Sequence, residues 1–323
     1  MISKYLNIKL VVGLIIITLL VIGFSNSVTE HIHAMNPFYV GCAVVVLLSV
    51  ITVKQIKWYM LMGEVRNAKL AFKSYFTGQF VNDIAPVGTG DVTKAYIIKK
   101  YTKKPFGFAL SISYMERLVD ISILSIFAVI SSMFFFVSTI SSYISIIVVI
   151  VFVLGIGFFL LAMFPVKLAS IIKSILVIIR RIIPAMFIVK IIKKLETFIF
   201  ETSKDFQEAL VAFKNRRMLI IFIIMLAVLD WLLEGVCQVV FLYSLGYEIP
   251  ILVSVGIVAI SWLISIPSMI PSGLGIRETV LSLLFSSMGV PFAVALTSVL
   301  VYRAFATLIF ASGAVISLKI EPK

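Results

Sequence analysis

Ten ionisable side chains fall in or beside long apolar stretches: Asp83, Asp91, Glu116, Arg117, Asp120, Asp230, Glu234, Arg277, Glu278 and Arg303. At mid-membrane each unpaired charge costs about 2.5–3.5 kcal/mol on the mildest scale. The net stability of a folded protein is only about 5–15 kcal/mol. These groups must therefore pair, stay hydrated or be protonated, and a polar cavity inside a helix bundle is expected. Several share a helix face: Glu116 with Asp120, Arg117 with Asp120, Asp230 with Glu234, and Glu234 with Gln238. Arginine presents a planar fork suited to phosphate, so Arg117, Arg277 and Arg303 are candidates for holding an anionic group. Asp91, Glu116, Asp120 and Glu278 are candidates for orienting those arginines or exchanging protons, and Asp230 and Glu234 for proton coupling. The competing reading is a set of structural ion pairs between helices, but seven acids against three arginines is more than pairing needs.

Two breaks frame these charges. Pro86-Val87-Gly88-Thr89-Gly90 precedes Asp91, and 185 residues later Pro271-Ser272-Gly273-Leu274-Gly275 precedes Arg277 and Glu278. Proline removes a backbone donor and glycine weakens a helix, so neither helix runs smoothly through its break. Paired interruptions of this kind mark discontinuous membrane helices and an inverted internal repeat. Gly88, Gly90, Gly273 and Gly275 are then the positions for close backbone approach or positive φ. A helix N-terminus after such a break offers N–H groups to an anion. The plainer alternative is two turns between spans.

The elements that must position these groups follow from composition. Of 323 residues, 61% are hydrophobic and 13% charged, with mean hydropathy +1.16. A soluble domain carries about 25% charged residues, so a soluble globular class is excluded. The interruptions argue for helices over barrel strands. The fold class is an all-α integral membrane protein of about eight transmembrane helices, with re-entrant or broken helices at the two breaks. Net charge is +13. Of the Lys and Arg residues, only Arg117, Arg277 and Arg303 are assigned to spans or breaks. Cys42 and Cys237 read as small core residues.

A first span at 10–24 begins close to a basic lead, and a cleaved signal peptide is the alternative there. The loop 25–37 has no Lys or Arg, and a second span covers 36–56. Its far side carries Lys54, Lys57, Arg66, Lys69 and Lys73, which places the N-terminus in the cytoplasm. Residues 58–104 are basic at both ends and read as a re-entrant hairpin. A helix from Phe106 to about Val137 leaves, Ser138–Ser142 turns, and the next span returns by Phe164. The segment 165–217 reads as amphipathic helices lying on the anionic inner surface. Spans at 218–245 and 251–270 follow, then a short crossing at 276–288 and a last helix at 292–318, with a cytoplasmic C-terminus. The chain is thus one membrane domain, 1–323, with halves 1–164 and 218–323 around the linker 165–217.

Catalytic motifs are absent: no G-x-S-x-G, no P-loop, no H-E-x-x-H. His31-x-His33 is at most a weak metal site. No catalytic residue, metal or other cofactor is expected, and no nucleic-acid partner.

The run Gly78-Gln79-Phe80, Asn82, Pro86, Gly88, Gly90-Asp91 and Lys94-Ala95 resembles a known family. So do Glu116-Arg117 with Asp120, and Pro271, Gly273, Gly275 and Arg277-Glu278 with Arg303. The resemblance is to the lysylphosphatidylglycerol synthase transmembrane family, the flippase-like membrane domain of the multiple peptide resistance factor. It covers nearly the whole chain and implies an eight-helix, two-repeat bundle that handles lipids. Members often carry a double glycine in the first break, where a single Gly88 stands here. The chain stops at Lys323 without the soluble aminoacyl-transferase domain, so aminoacylation of lipid by this chain is not expected. The resulting expectation is a plasma-membrane translocator of a lipid with an anionic phosphate head group. Its company would be anionic inner-leaflet lipids and either a second copy or a separate lipid-synthesising protein. The alternatives are a membrane-embedded lipid-modifying enzyme and a proton-coupled transporter of a small anion.

Overall fold

The computed structural model describes Gly23 and residues 25–85, 88–132, 216–268 and 270–322. The expected spans at 10–24 and up to Phe164, the turn at 138–142, and all but the last two residues of the 165–217 linker lie outside the described residues. Within them all regular structure is helical: α1 (Ser25–Ala34), α2 (Pro37–Leu61), α3 (Ala68–Ile84), α4 (Thr89–Tyr101), α5 (Phe106–Ser131), α6 (Arg217–Tyr243), α7 (Ile251–Ser265), α8 (Ile276–Ser287) and α9 (Phe292–Leu318). By length and composition α2, α6 and α9 suffice to cross a membrane. They leave Val45, Met225 and Leu308 exposed, as a lipid-facing surface requires. The stretch 25–37 was expected as a loop because it is polar. Most of it is α1, packed on α9, since Ser, Thr, Glu and His signal exposure without forbidding a helix.

Local chemistry sets the boundaries. Asn36 caps α2 by accepting from the Phe38 N–H at 3.0 Å, with Pro37 in the first turn. Asn67 caps α3 through the Lys69 and Leu70 N–H groups. At the other end of α3, Ala85 is extended, as a residue before proline prefers. Gly88 (φ 90) opens α4 and Gly275 (φ 83) opens α8. The two motifs therefore work in different registers. The first glycine of one break and the second glycine of the other begin a helix, although their spacing in sequence is the same.

Helices α2 and α6 run antiparallel along their length. The Asn36 N–H donates to the Ser244 carbonyl where α2 begins and α6 ends, Cys237 Sγ lies 3.5 Å from the Ala43 carbonyl, and Arg216 pairs with Glu64 at the far end. Exchanging α2 with α6, α3 with α7, α4 with α8 and α5 with α9 maps the main contacts onto one another. Thus α3 packs on α9 as α7 packs on α5, and each short helix packs on the long helix that follows it. Lys73 at the start of α3 donates to the Ser317 and Ile320 carbonyls at the end of α9, and Ser131 at the end of α5 donates to the Leu252 carbonyl at the start of α7. The arm α3–α4 thus enters the bundle from one end and α7–α8 from the other.

Their tips meet: Ser272 Oγ donates to Asp83 Oδ1 at 3.2 Å. At 1.5 Å per residue α8 reaches about 18 Å, short of the ~30 Å hydrocarbon core. The segment 276–288, expected as a shortened or tilted crossing, is a short helix that forms a second arm with α7. The meeting point lies partway along the long helices, because Glu278 in the first turn of α8 pairs with Arg303, about 16 Å along α9 from its start.

Two outcomes test this architecture. In a background lacking Cys42 and Cys237, cysteines replacing Asp83 and Ser272 should crosslink on mild oxidation, and failure to do so would separate the tips. A Cβ on Gly90 would run into the Gly78 carbonyl and the Asn82 side chain, whereas one on Gly41 meets nothing. Gly90→Ala should therefore cost about 1–3 kcal/mol by overpacking, and Gly41→Ala should be neutral or stabilising, read as shifts of thermal unfolding in detergent.

Candidate functional site

Between the two arms lies a cavity of about 280 Å³. Each arm brings one arginine–carboxylate pair to its wall, and both pairs are built to the same plan. Asp91 is the third residue of α4 and Glu278 the third of α8, while Arg117 and Arg303 are each the twelfth residue of the long helix that follows. Arg117 holds Asp91 through both oxygens, Nε to Oδ2 at 2.9 Å and Nη2 to Oδ1 at 3.2 Å. Arg303 pairs with Glu278. A carboxylate in a first turn also faces the positive end of its own helix. Glu278 uses this directly, its Oε2 accepting the Gly275 N–H at 2.6 Å. The Gly275 N–H, expected to be open to an anion, is thus occupied by a side chain of the same helix.

Behind these pairs lie cations that the charge pattern had placed outside the spans. Lys94 is buried and donates to Glu116 at 2.7 Å, with its ammonium 4.6 Å from the Trp58 ring centre. Lys57, 1% exposed, lies between Asp120 and Asp230 at 2.5 Å from each. Lys54 reaches Glu234 at 3.0 Å. Glu234 collects three donors, from Lys54, from Arg277 Nη2 at 3.2 Å and from the Tyr302 hydroxyl. Lys54, Lys57 and Lys94 thus narrow the imbalance of seven acids against three arginines without removing it. Glu116 and Asp120 are held by lysines rather than by the neighbouring Arg117.

Of the residues singled out from sequence, Arg117, Arg277, Arg303, Asp83, Asp91, Asp120, Glu278, Glu234, Gly88 and Gly273 line the cavity. Asp230, Glu116, Gly90 and Gly275 stand behind that lining and support it. Sequence reasoning missed Lys54, Lys57, Tyr302 and the two tryptophans Trp231 and Trp262. A usable signal was present. Lys54 and Lys57 are one turn apart at the end of an apolar run, as Asp230 and Glu234 are one turn apart inside another, and antiparallel packing brings the two pairs into register.

Not every polar atom is satisfied. Arg277 Nε and Trp262 Nε1 are buried with no hydrogen-bond partner among the described residues, and both side chains line the cavity. The Arg277 guanidinium lies over the Trp262 ring at 4.5 Å. A buried donor without a partner costs about 1–3 kcal/mol. The cavity is mostly apolar, with a few charged side chains converging on it.

Comparison with known proteins adds the lineage. Residues 8–313 match the family model for the lysylphosphatidylglycerol synthase TM region. The chain is also similar to UPF0104 membrane protein MJ1595 of Methanocaldococcus jannaschii, with 26% identity over 290 residues, covering 87% of this chain and 84% of that one. No solved structure matches.

The lysine between two acids gives a stability test. Lys57→Met leaves Asp120 and Asp230 buried without their shared cation, and breaking such an arrangement costs about 3–5 kcal/mol. The expected outcome is a large drop in thermal midpoint in detergent, partly recovered when Asp230→Asn is added. An unchanged midpoint for Lys57→Met would show the triad to be energetically idle.

Proposed function

This chain belongs to the lysylphosphatidylglycerol synthase TM region family, and from that premise we propose that it is a lipid translocator. Its substrate is a phosphate-bearing lipid, phospholipid or polyprenyl-phosphate-linked, moved between the leaflets of the plasma membrane. The observation that carries this reading is the convergence of three arginines, Arg117, Arg277 and Arg303, on one cavity inside the helix bundle. A phosphate oxygen is the acceptor that such a wall suits best.

Four cations and five acids line the cavity, Lys54, Arg117, Arg277 and Arg303 beside Asp83, Asp91, Asp120, Glu234 and Glu278. The arginine forks carry more donors than their carboxylate partners use, so an anionic head group adds to them without displacing a structural pair. Arg303 is oriented by Glu278 and Arg117 by Asp91, which leaves the acids as positioning groups for the arginines. Acyl or prenyl chains stay in the bilayer beside the exposed apolar faces of α2, α6 and α9. Charge asymmetry puts both termini in the cytoplasm, where the basic end of the bundle meets anionic inner-leaflet lipids. A second copy or a lipid-synthesising protein is the company such a translocator needs.

The test is movement of a labelled anionic lipid between leaflets of vesicles containing the purified protein. Lysine keeps the charge of arginine but loses the planar fork. Arg277→Lys and Arg303→Lys should each slow movement about tenfold or more, the loss of a charged hydrogen bond, with little change in thermal midpoint. Normal rates in both variants would remove the phosphate reading. If Arg303→Ala with Glu278→Ala restores what either change loses alone, that pair is structural and not a head-group contact.

A further inference from the structure

The triad of Asp120, Lys57 and Asp230 is not used by the head-group wall, and its charges do not cancel. One ammonium serves two carboxylates, so the fully ionised group carries one net negative charge away from water. Asp230 is 0% exposed. Its Oδ2 meets Lys57, and its Oδ1 has no hydrogen-bond partner among the described residues. Asp120 lines the cavity and Asp230 does not, so the order from the cavity inward is Asp120, Lys57, Asp230. An acceptor oxygen at the closed end of this chain, in a site short of one positive charge, is a place for a proton. A metal ion needs about six oxygen ligands, and the Lys57 ammonium already fills the space between the two carboxylates.

We propose that Asp230 is a proton-binding site, reached from the cavity through Asp120 and Lys57 and occupied in step with the head group. It rests on the translocator reading above and assigns that reading its coupling ion. In the step, a proton from the cavity adds to the Asp120 carboxylate. The Lys57 ammonium gives one proton to Asp230 and takes the proton from Asp120, so Lys57 ends charged, Asp120 ionised and Asp230 neutral. Asp120 is then again free to receive a proton from the cavity. Glu234 plays no part, because Lys54, Arg277 and Tyr302 already satisfy it.

The groups that face Asp230 define what sets its proton affinity. From α2 these are Lys57 and Lys54, from α5 Asp120, and from α3 the Tyr75 hydroxyl, while Glu116 acts one step further out, on Lys57. On its own helix Glu234 lies one turn away. Helix α7 carries no charged residue, and α9 offers Tyr302, engaged with Glu234, and Arg303, engaged with Glu278.

Two measurements separate this from the reading it rests on. The first needs no lipid movement: infrared absorbance of a protonated buried carboxyl, followed against pH in purified protein with and without sodium. The wild type should show one such band that titrates with pH and ignores sodium, missing in Asp230→Asn and kept in Glu234→Gln. A band unchanged in Asp230→Asn, or one governed by sodium at fixed pH, would overturn the proposal. The second is proton uptake when short-chain phosphatidylglycerol is added to protein in weak buffer. About one proton per chain is expected for the wild type and none for Asp230→Asn. If Asp230→Asn does not insert, Asp120→Asn is read instead and should slow uptake about tenfold or more while keeping the band. Lipid movement with neither band nor uptake would leave the translocator standing and sink the proton site. A titrating band without lipid movement would do the reverse.

Discussion

An arginine–carboxylate pair at half the depth of a bilayer has to be assembled from two directions. The carboxylate cannot sit on a continuous span and also occupy the positive end of a helix, because a span has its ends at the surface. Breaking the helix solves this by placing an N-terminal turn inside the membrane, where Asp91 and Glu278 stand. The arginine must then come from a neighbour at the same depth, and a tight return turn makes the next helix that neighbour. Arg117 and Arg303 both fall twelve residues into that helix. Half-length arms, left-handed glycines at their starts and long partner helices all follow from keeping one such pair out of water in each half. Non-helical backbone at that depth is tolerated only inside protein or beside a wet cavity, so meeting tips and a cavity belong to the same solution.

Much of this could be read from residues alone, and the rest could not for a definite reason. The breaks are local: proline and glycine act on their own backbone, so Pro86 to Gly90 and Pro271 to Gly275 announced themselves. The arginines and acids stood out against an apolar background. Lys54, Lys57 and Lys94 did not, because a lysine at the end of an apolar run looks like the basic rim that charge asymmetry puts in the cytoplasm. What turns Lys57 inward is the antiparallel register of α2 and α6, a contact between residues 173 apart in the chain. No periodicity within either helix encodes that register. The start of α8 is tied to the rest of the bundle in the same way, since only its pairing with Arg303 shows where along α9 it begins.

The two halves share a plan but not a charge distribution. In the first arm Arg117 gives Nε and Nη2 to Asp91 and keeps further guanidinium N–H groups on a side chain 33% exposed, while Lys94 is buried against Glu116 and the Trp58 ring. In the second arm Arg277 gives Nη2 to Glu234 and keeps Nε without a partner, beside a tryptophan whose own N–H is also unused. Arg117 faces the cavity more openly than Arg277, with 33% against 10% of the side chain exposed. Any ligand shifts an equilibrium only through its differential affinity for two states, and two arms that share a plan but expose their arginines unequally are the place in this chain where such a difference can be built.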